Sequence, residues 1–343
     1  MAQRRALMVW MLTSLVSGCG ASAEPSERSD TGVPAVHDAG ASTSRSSATA
    51  DSAAATTDHA SDAVGASGRV DAGAKLTDGA ASSVDSPPDA SREPATDGTG
   101  LPYKGVANSP CAARTALNVS WYYNWGLTED EACKDGRGGE FVPMIWGHEN
   151  EQSASAIAAA VKGVISAGYT SVLGFNEPDN SSQSNIPVDK ALALWPAFKA
   201  AGLKVGTPGE SANANGQTWT KTFVEQLNAG KFGEADFLAL HWYGWNAGSC
   251  DAKASQLESY LKWAEGLAGG RPIWITEWGC LNQSAPDDAT VVAFFKAATA
   301  MLARHPRVQR YAWYPWATHC ELNDKAGAQT ELGKLYAAQP GWR

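Results

Sequence analysis

The chain has 343 residues and a formal net charge of -9, and because seven of the 27 basic and 13 of the 36 acidic side chains fall in the first 100 residues, -6 of that charge lies there. Residues 101–343 are nearly balanced and carry no basic patch that would gather phosphates, which argues against nucleic acid as a partner. Thirteen of the fourteen tryptophans also fall after residue 100, and an aromatic-rich surface of low charge suits a neutral polymer such as a polysaccharide.

At the start of the chain, Arg4 and Arg5 precede an apolar segment from Ala6 to Val16, followed by Ser17-Gly18-Cys19. Basic, apolar and small-residue regions in that order make a secretion signal, and the apolar run is short for a bilayer span. The ending Leu15-Val16-Ser17-Gly18-Cys19 resembles a bacterial lipoprotein signal. That resemblance implies removal of residues 1–18 and acylation of Cys19, so the membrane is a partner only through that lipid. The expected location is the outer membrane or cell surface, with a soluble secreted protein as the alternative. Residues 19–100 are rich in Ala, Ser, Asp, Gly and Thr and hold too few large apolar side chains to build a core. They are read as a disordered tether whose root-mean-square reach, for about 80 residues, is roughly 50 Å.

From Leu101 onward, apolar runs ending in polar or aromatic residues recur eight times: 104–107, 118–125, 141–146, 171–177, 203–208, 237–243, 272–278 and 311–316. Helical patterns lie between the later ones. Ser153 to Ala167 is stopped by Gly168, and Pro187 to Ala201 by Gly202. Gln217 to Leu227, Asp251 to Leu267, Asp287 to Ala303 and Gln329 to Ala338 follow. Strands alternating with helices at about thirty residues per unit predict an α/β fold, a (β/α)8 TIM-type barrel over residues 101–343. The first crossover, near Cys111 to Leu117, allows barely two turns, so the barrel is expected to be irregular in its first unit. An open doubly wound sheet is the rival, but no glycine-rich phosphate loop follows an early strand.

Cys111, Cys133, Cys250, Cys280 and Cys320 remain once Cys19 is set aside, and an exported chain would oxidise them in pairs, leaving one over. Cys111 with Cys133 would join the loops after strands one and two. Cys280 has two candidate partners, Cys250 and Cys320, and the sequence leaves that choice open. No Cys-x-x-Cys or His-x-x-x-His spacing supports a metal site, and no cofactor motif occurs.

Two of the strands end in a carboxylate. The fourth ends in Gly174-Phe175-Asn176-Glu177-Pro178-Asp179 and the seventh in Ile275-Thr276-Glu277-Trp278. Strands four and seven of such a barrel lie nearly opposite, so the two glutamates can face one another over the mouth, where barrel enzymes keep their chemistry. Glycoside hydrolysis with retention needs one protonated and one ionised carboxyl about 5 Å apart, and mutual repulsion raises the pKa of one of them. Glu177 is read as acid/base and Glu277 as nucleophile. A lone strand-end glutamate is more often a solvated loop carboxylate; two in matched contexts reverse that balance.

Around them, Asn176 is read as a donor to the sugar, with turn capping as its bland alternative. Period-two alternation points His241 and Tyr243 towards the mouth, Tyr243 within reach of the nucleophile and His241 as either a sugar contact or a satisfied core residue. Trp125, Trp146, Trp278 and Trp313 are candidate stacking platforms for sugar rings, and Tyr123 and Asn124 candidate polar edges of the same groove. About half of the strand-end tryptophans are expected to be core.

These residues resemble a known group. Asn-Glu-Pro at 176–178, His-x-Tyr at 241–243 and Thr-Glu-Trp at 276–278 resemble the clan of retaining barrel glycosidases. Within it, Val119-Ser120-Trp121-Tyr122-Tyr123-Asn124-Trp125, Phe141-Val142-Pro143-Met144-Ile145-Trp146-Gly147 and Leu173-Gly174-Phe175-Asn176-Glu177-Pro178-Asp179 resemble glycoside hydrolase family 128 over nearly all of residues 101–343. The resemblance implies cleavage of β-1,3-glucan with retention, no metal or organic cofactor, and the same roles for Glu177 and Glu277. The family holds endo-acting, exo-acting and purely binding members, and the loops carrying Cys250 and Cys320 depart from its pattern. The reading is a monomeric endo-β-1,3-glucanase; its alternatives are a non-catalytic β-glucan-binding module on the same scaffold and a barrel glycosidase of other linkage specificity. For the leader, Cys19→Ala is expected to abolish incorporation of labelled fatty acid in a bacterial host, and unlabelled wild-type protein would rule the anchor out.

Overall fold

Apolar runs that stop at a polar residue, a proline or a glycine become the strands of this protein. The computed structural model describes residues 102–340 apart from Ala201 and Asn282; the signal, Cys19 and the tether lie outside the described residues. In chain order come β1 (Tyr103–Ala107), α1 (Cys111–Ala116), β2 (Trp121–Tyr123), β3 (Glu140–Phe141), α2 (Ala154–Ser166), β4 (Ser171–Val172) and α3 (Val188–Leu194). They are followed by β5 (Lys204–Val205), α4 (Ala214–Asn228), β6 (Leu238–Trp242), α5 (Ser255–Leu267), β7 (Ile273–Trp278), α6 (Asp288–Leu302), β8 (Val308–Trp313) and α7 (Glu331–Ala338). Side-chain caps start four of the helices: Ser153 before α2, Asn213 before α4, Asp287 before α6 and Thr330 before α7 each accept a backbone N–H.

The pairings among these strands are parallel. One ladder runs β3-β2-β1-β8-β7-β6 and a second holds β4-β5, and single bridges Met144↔Leu173 and Gly206↔Phe237 join them at both seams. The eight strands therefore close into the expected barrel. The predicted strands at 141–146, 171–177 and 203–208 are each cut to two residues, and in the first of them Pro143 has no N–H to give a ladder. α1 is as short as expected, but the crossover from β2 to β3 holds only a 3₁₀ turn at Glu131–Cys133, so the irregularity extends into the second unit. β8 begins and ends three residues earlier than predicted, at Val308–Trp313. Its Gln309 and Arg310 read as loop residues in the sequence, yet the Arg310 guanidinium lies 4.1 Å from the Trp274 ring centroid and pairs with Glu140 at 2.7 Å.

Large rings fill the interior where glycines make room. A Cβ on Gly105 would stand 2.3 Å from the Trp121 indole and one on Gly206 2.2 Å from the Phe237 ring, and Trp274 packs against both rings, its centroid 5.6 Å from Trp121 and 3.8 Å from Phe237. Outside the ring, Trp242 and Trp278 pack on Phe294 of α6, and Trp313 on Phe295 and on Tyr336 of α7.

Disulfides Cys111–Cys133 and Cys250–Cys280 staple neighbouring loops on the side of the strand C-termini. The choice left open for Cys280 thus falls to Cys250. Cys320 is a buried free thiol that donates to the Cys280 carbonyl at 2.9 Å, and burial pushes it up to about 12.

At the opposite end, Lys104 is fully buried and donates to the carbonyls of Tyr336 and Gln339 at 2.7 and 2.8 Å, with Ala337 at 3.4 Å. Carbonyls in the last turn of a helix suit a cation, so one side chain of β1 caps α7. Burial lowers its pKa to about 7. Lys104→Met takes the side-chain donor from the Gln339 carbonyl and one of two donors from the Tyr336 carbonyl, and is expected to cost about 2 kcal/mol, or about 6 °C in Tm for a domain of this size. An unchanged thermal transition would remove Lys104 from the contacts that stabilise α7.

Candidate active site

Glu177 stands where β4 leaves the ladder. Asn176 bridges Gly209 in parallel, and the Glu177 N–H donates to the Gly209 carbonyl at 2.7 Å. That bond holds Glu177 at φ 42°, in the left-handed region that costs a non-glycine residue about 1–3 kcal/mol. The strained backbone turns the carboxyl inward, where Oε2 accepts from Asn180 at 3.0 Å and Oε1 meets His241 Nδ1 at 3.2 Å.

Glu277 comes from β7, and a register shift places it. Leu240 pairs with Ile275 and His241 with Glu277, so Thr276 is an extra residue in β7. Such a bulge re-aims the side chain that follows it. The Glu277 carboxyl faces three donors: Tyr123 at 2.9 Å and Trp125 Nε1 at 2.8 Å on Oε1, and Tyr243 at 2.5 Å on Oε2. Three donors around two oxygens are the surroundings of a carboxylate anion. Burial first, and then the neighbouring Glu277, hold the Tyr123 and Tyr243 hydroxyls well above their usual pKa, so both stay donors.

His241 joins the two acids. Its Nδ1 lies 3.2 Å from Glu177 Oε1 and 3.6 Å from Glu277 Oε2, and the ligand atoms of all three residues fall within 4.8 Å of one another. Burial alone would pull the imidazole down, but Glu277, Glu177 and Glu210 outweigh it and hold it at about 9. Glu177 is raised from its ordinary value by burial, against the pull of the His241 contact and with the repulsion of Glu277 added. The spacing of the three atoms would suit a cation, but an imidazole that keeps its proton to about 9 has no lone pair on that nitrogen to offer one.

Of the residues singled out from sequence, Glu177, Glu277, His241, Tyr243, Tyr123 and Trp125 come together here. Asn176 lies beside them, almost fully buried, with Nδ2 on Gln183 at 3.2 Å and Oδ1 without a partner. Trp146, half-buried on the neighbouring strand exit, stacks on His148 at 4.2 Å and has its indole N–H buried without a partner. Three expectations need correction, and His241 falls to one of its two readings. It is fully buried and touches both glutamates, which favours the core reading over the sugar contact. Trp278 and Trp313 have no exposed surface; alternation sends them outward onto α6 and α7, leaving no ring face for a sugar. Asn124 uses its amide inside its own loop, donating to Thr128 O and accepting from Gly126 N.

Three residues were missed. Tyr314, one position beyond Trp313, is 8% exposed and edges against Trp125 and Tyr243 with centroids 6.3 and 5.4 Å apart; applying the parity of β8 one residue further would have found it. Asn180 holds Glu177 from a loop that carries no periodic signal. Glu210, just past β5, is a third buried carboxyl, raised to about 8 by burial. It had no twin motif to mark it.

With this geometry in hand, residues 100–336 match the family model described as the glycosyl hydrolase catalytic core. The chain belongs to this glycosyl hydrolase family. Within it the chain is a member of glycoside hydrolase family 128, as its three motifs implied. An endo-β-1,3-glucanase of that family from Amycolatopsis mediterranei, solved with laminaritriose, is 32% identical with a TM-score of 0.56, the match covering 69% of this chain and 98% of the other. A curdlan-specific exo-β-1,3-glucanase from Blastomyces gilchristii, solved with glucose, is 29% identical with a TM-score of 0.55 over 69% and 97% of the two chains. Alkali-sensitive linkage protein 1 of Schizosaccharomyces pombe is 30% identical over 237 residues, 64% of this glycoside hydrolase but only 40% of that longer protein.

Glu177 and Glu210 both hold their protons more tightly in the folded glycoside hydrolase than at the ordinary value of 4.5. The folded state therefore binds more protons than the unfolded one above that pH, so these groups make stability fall as pH rises. Between pH 5 and 7 the Tm is expected to drop, with Glu210 contributing about 3 °C per pH unit. Thermal unfolding across that interval checks it: Glu210→Gln should flatten the slope, and an identical slope would contradict a neutral buried Glu210.

Proposed function

We propose that this protein is a retaining endo-β-1,3-glucanase. The observation that carries the mechanism is the placement of Glu177 and Glu277 oxygens within 4.8 Å of one another around His241, the separation of a double displacement rather than the wider gap that admits a water. Glu177, kept protonated by burial, gives its proton to the glycosidic oxygen while a Glu277 oxygen attacks the anomeric carbon from the opposite face. The leaving sugar departs with that proton, and a glycosyl ester on Glu277 remains. Glu177, now a carboxylate, takes a proton from water, whose oxygen displaces Glu277 and restores the original configuration.

Tyr123, Trp125 and Tyr243 hold the Glu277 rotamer before attack. The unpaired Asn176 Oδ1 and Trp146 N–H are a buried acceptor and a buried donor that sugar hydroxyls would satisfy. Trp125, Trp146 and Tyr314 supply ring faces and edges at the mouth. The β-1,3 linkage is supported by the solved family members that act on it, and endo action by the laminaritriose-bound endo-glucanase, although an exo-acting relative is nearly as similar.

Incubation with laminarin or curdlan is expected to release a ladder of oligosaccharides, the first-formed reducing ends being β-anomers by proton NMR. Glu177→Gln is expected to lower kcat about 10³-fold and Glu277→Gln to abolish release while binding persists. The pH profile of kcat/KM is expected to be bell-shaped, falling on the alkaline side as Glu177 loses its proton. First-formed α-anomers would overturn double displacement, glucose alone would overturn endo action, and binding without release would make the protein a glucan-binding module.

A further inference from the structure

One buried carboxyl takes no part in that mechanism. Glu210 is fully buried just past β5, where Tyr260 of α5 donates to its Oε1 and the Ala212 N–H to its Oε2. Its oxygen also occupies the place a side chain would take at the start of α4, because a Cβ on Gly216 would stand 2.6 Å from Oε2. The residue before it, Gly209, is the one on which the site leans. Gly209 accepts the Glu177 N–H at 2.7 Å and donates to Phe175 O at 3.1 Å, and its Cα faces His241 so closely that an added Cβ would lie 2.7 Å from Nε2. The two residues after it are clasped from both neighbouring loops: Asp179 takes the Ser211 N–H at 3.0 Å, and the Trp245 indole donates to Ala212 O at 3.0 Å.

Resting on the hydrolase reading, we propose that Glu210 is a positioning residue for the acid/base pair: its buried carboxyl locks the β5 exit onto Tyr260, and that exit holds both the Glu177 backbone and the surface against which the His241 imidazole sits. The groups that face this carboxyl are Tyr260 from α5, Asp179 from the loop after β4, His241 from β6, and the Ala212 N–H. An amide could accept the Ala212 N–H on its oxygen and donate to the Tyr260 hydroxyl from its nitrogen, reversing only that second bond. What the acid adds is a charge that appears at alkaline pH, since burial raises Glu210 to about 8, and that charge favours the protonated imidazole of His241. The protonated imidazole in turn favours the Glu177 carboxylate, so this charge draws the alkaline side of the reaction in.

Glu210→Gln keeps an acceptor for Ala212 and a polar partner for Tyr260 but removes the charge; Glu210→Ala removes the contacts as well. With 15N-labelled histidine, the His241 imidazole, assigned by its loss in His241→Asn, is expected to titrate about half a pH unit or more lower in Glu210→Gln than in wild type. The alkaline limb of kcat/KM on laminarin should move the opposite way, to higher pH, because a neutral imidazole no longer favours the Glu177 carboxylate. Glu210→Ala is expected to lower kcat about tenfold or more with KM within about twofold. An unmoved imidazole midpoint in Glu210→Gln overturns the proposal, and so does a folded Glu210→Ala with wild-type kcat. The imidazole titration needs no turnover: a wild type inert on every glucan, with the midpoint still shifted, sinks the hydrolase reading and leaves the coupling of Glu210 to His241 standing. If Glu210→Ala does not fold, Glu210→Gln decides alone.

Discussion

Two acids share one dry space around a single ring nitrogen, and much of the molecule serves to make that tolerable. A buried carboxylate without donors would be neutralised or expelled. Glu277 therefore draws on Tyr123, Trp125 and Tyr243, from two different strand exits, while Glu177 keeps a proton because burial disfavours its charge. His241 lies between them and tempers the repulsion. The asymmetry is chemical rather than positional: both residues end strands and both are buried, but Glu277 has a tyrosine or indole donor on each oxygen and Glu177 has only Asn180 and the shared His241.

Holding that arrangement takes a frame that yields little. A bulge in β7 turns Glu277 inward, a left-handed backbone turns Glu177 inward, and Gly209 ties the second to the neighbouring strand. Disulfide Cys250–Cys280 fastens the loop after Tyr243 to the loop after Glu277, so Glu277 and one of its donors lie on covalently joined elements. Strain and staples at the mouth are affordable because the opposite end is closed by ordinary packing. There Trp121, Phe237 and Trp274 fill the barrel, and Lys104 caps the last helix. This separation of chemistry at one rim from stability at the other is the usual division in barrels of this kind.

The errors of sequence reading have a common source. Trp278 and Trp313 sit beside residues that do face the mouth, and proximity along a strand was taken as proximity in space; alternation sends adjacent side chains to opposite faces, so the neighbour Tyr314 belongs to the site and Trp313 does not. Asn124 failed for a different reason, because a short amide in a turn satisfies its own backbone first. Asn180 and Glu210 were invisible because they lie in segments whose chain path no periodicity describes.

By itself the amino-acid order determined the eight apolar runs, the helices between them and the two glutamates at matched strand ends, because period-two and period-3.6 burial and proline or glycine stops are local properties of the chain. It also carried three motifs specific enough to point to the family. Only the folded ring decided that Glu177 and Glu277 meet within 4.8 Å, that His241 stands between them, that Cys280 pairs with Cys250 and not Cys320, and that Glu210 joins the group. Those facts depend on strand stagger, a one-residue bulge and the closure of loops far apart in sequence, where a shift of one position exchanges inside for outside.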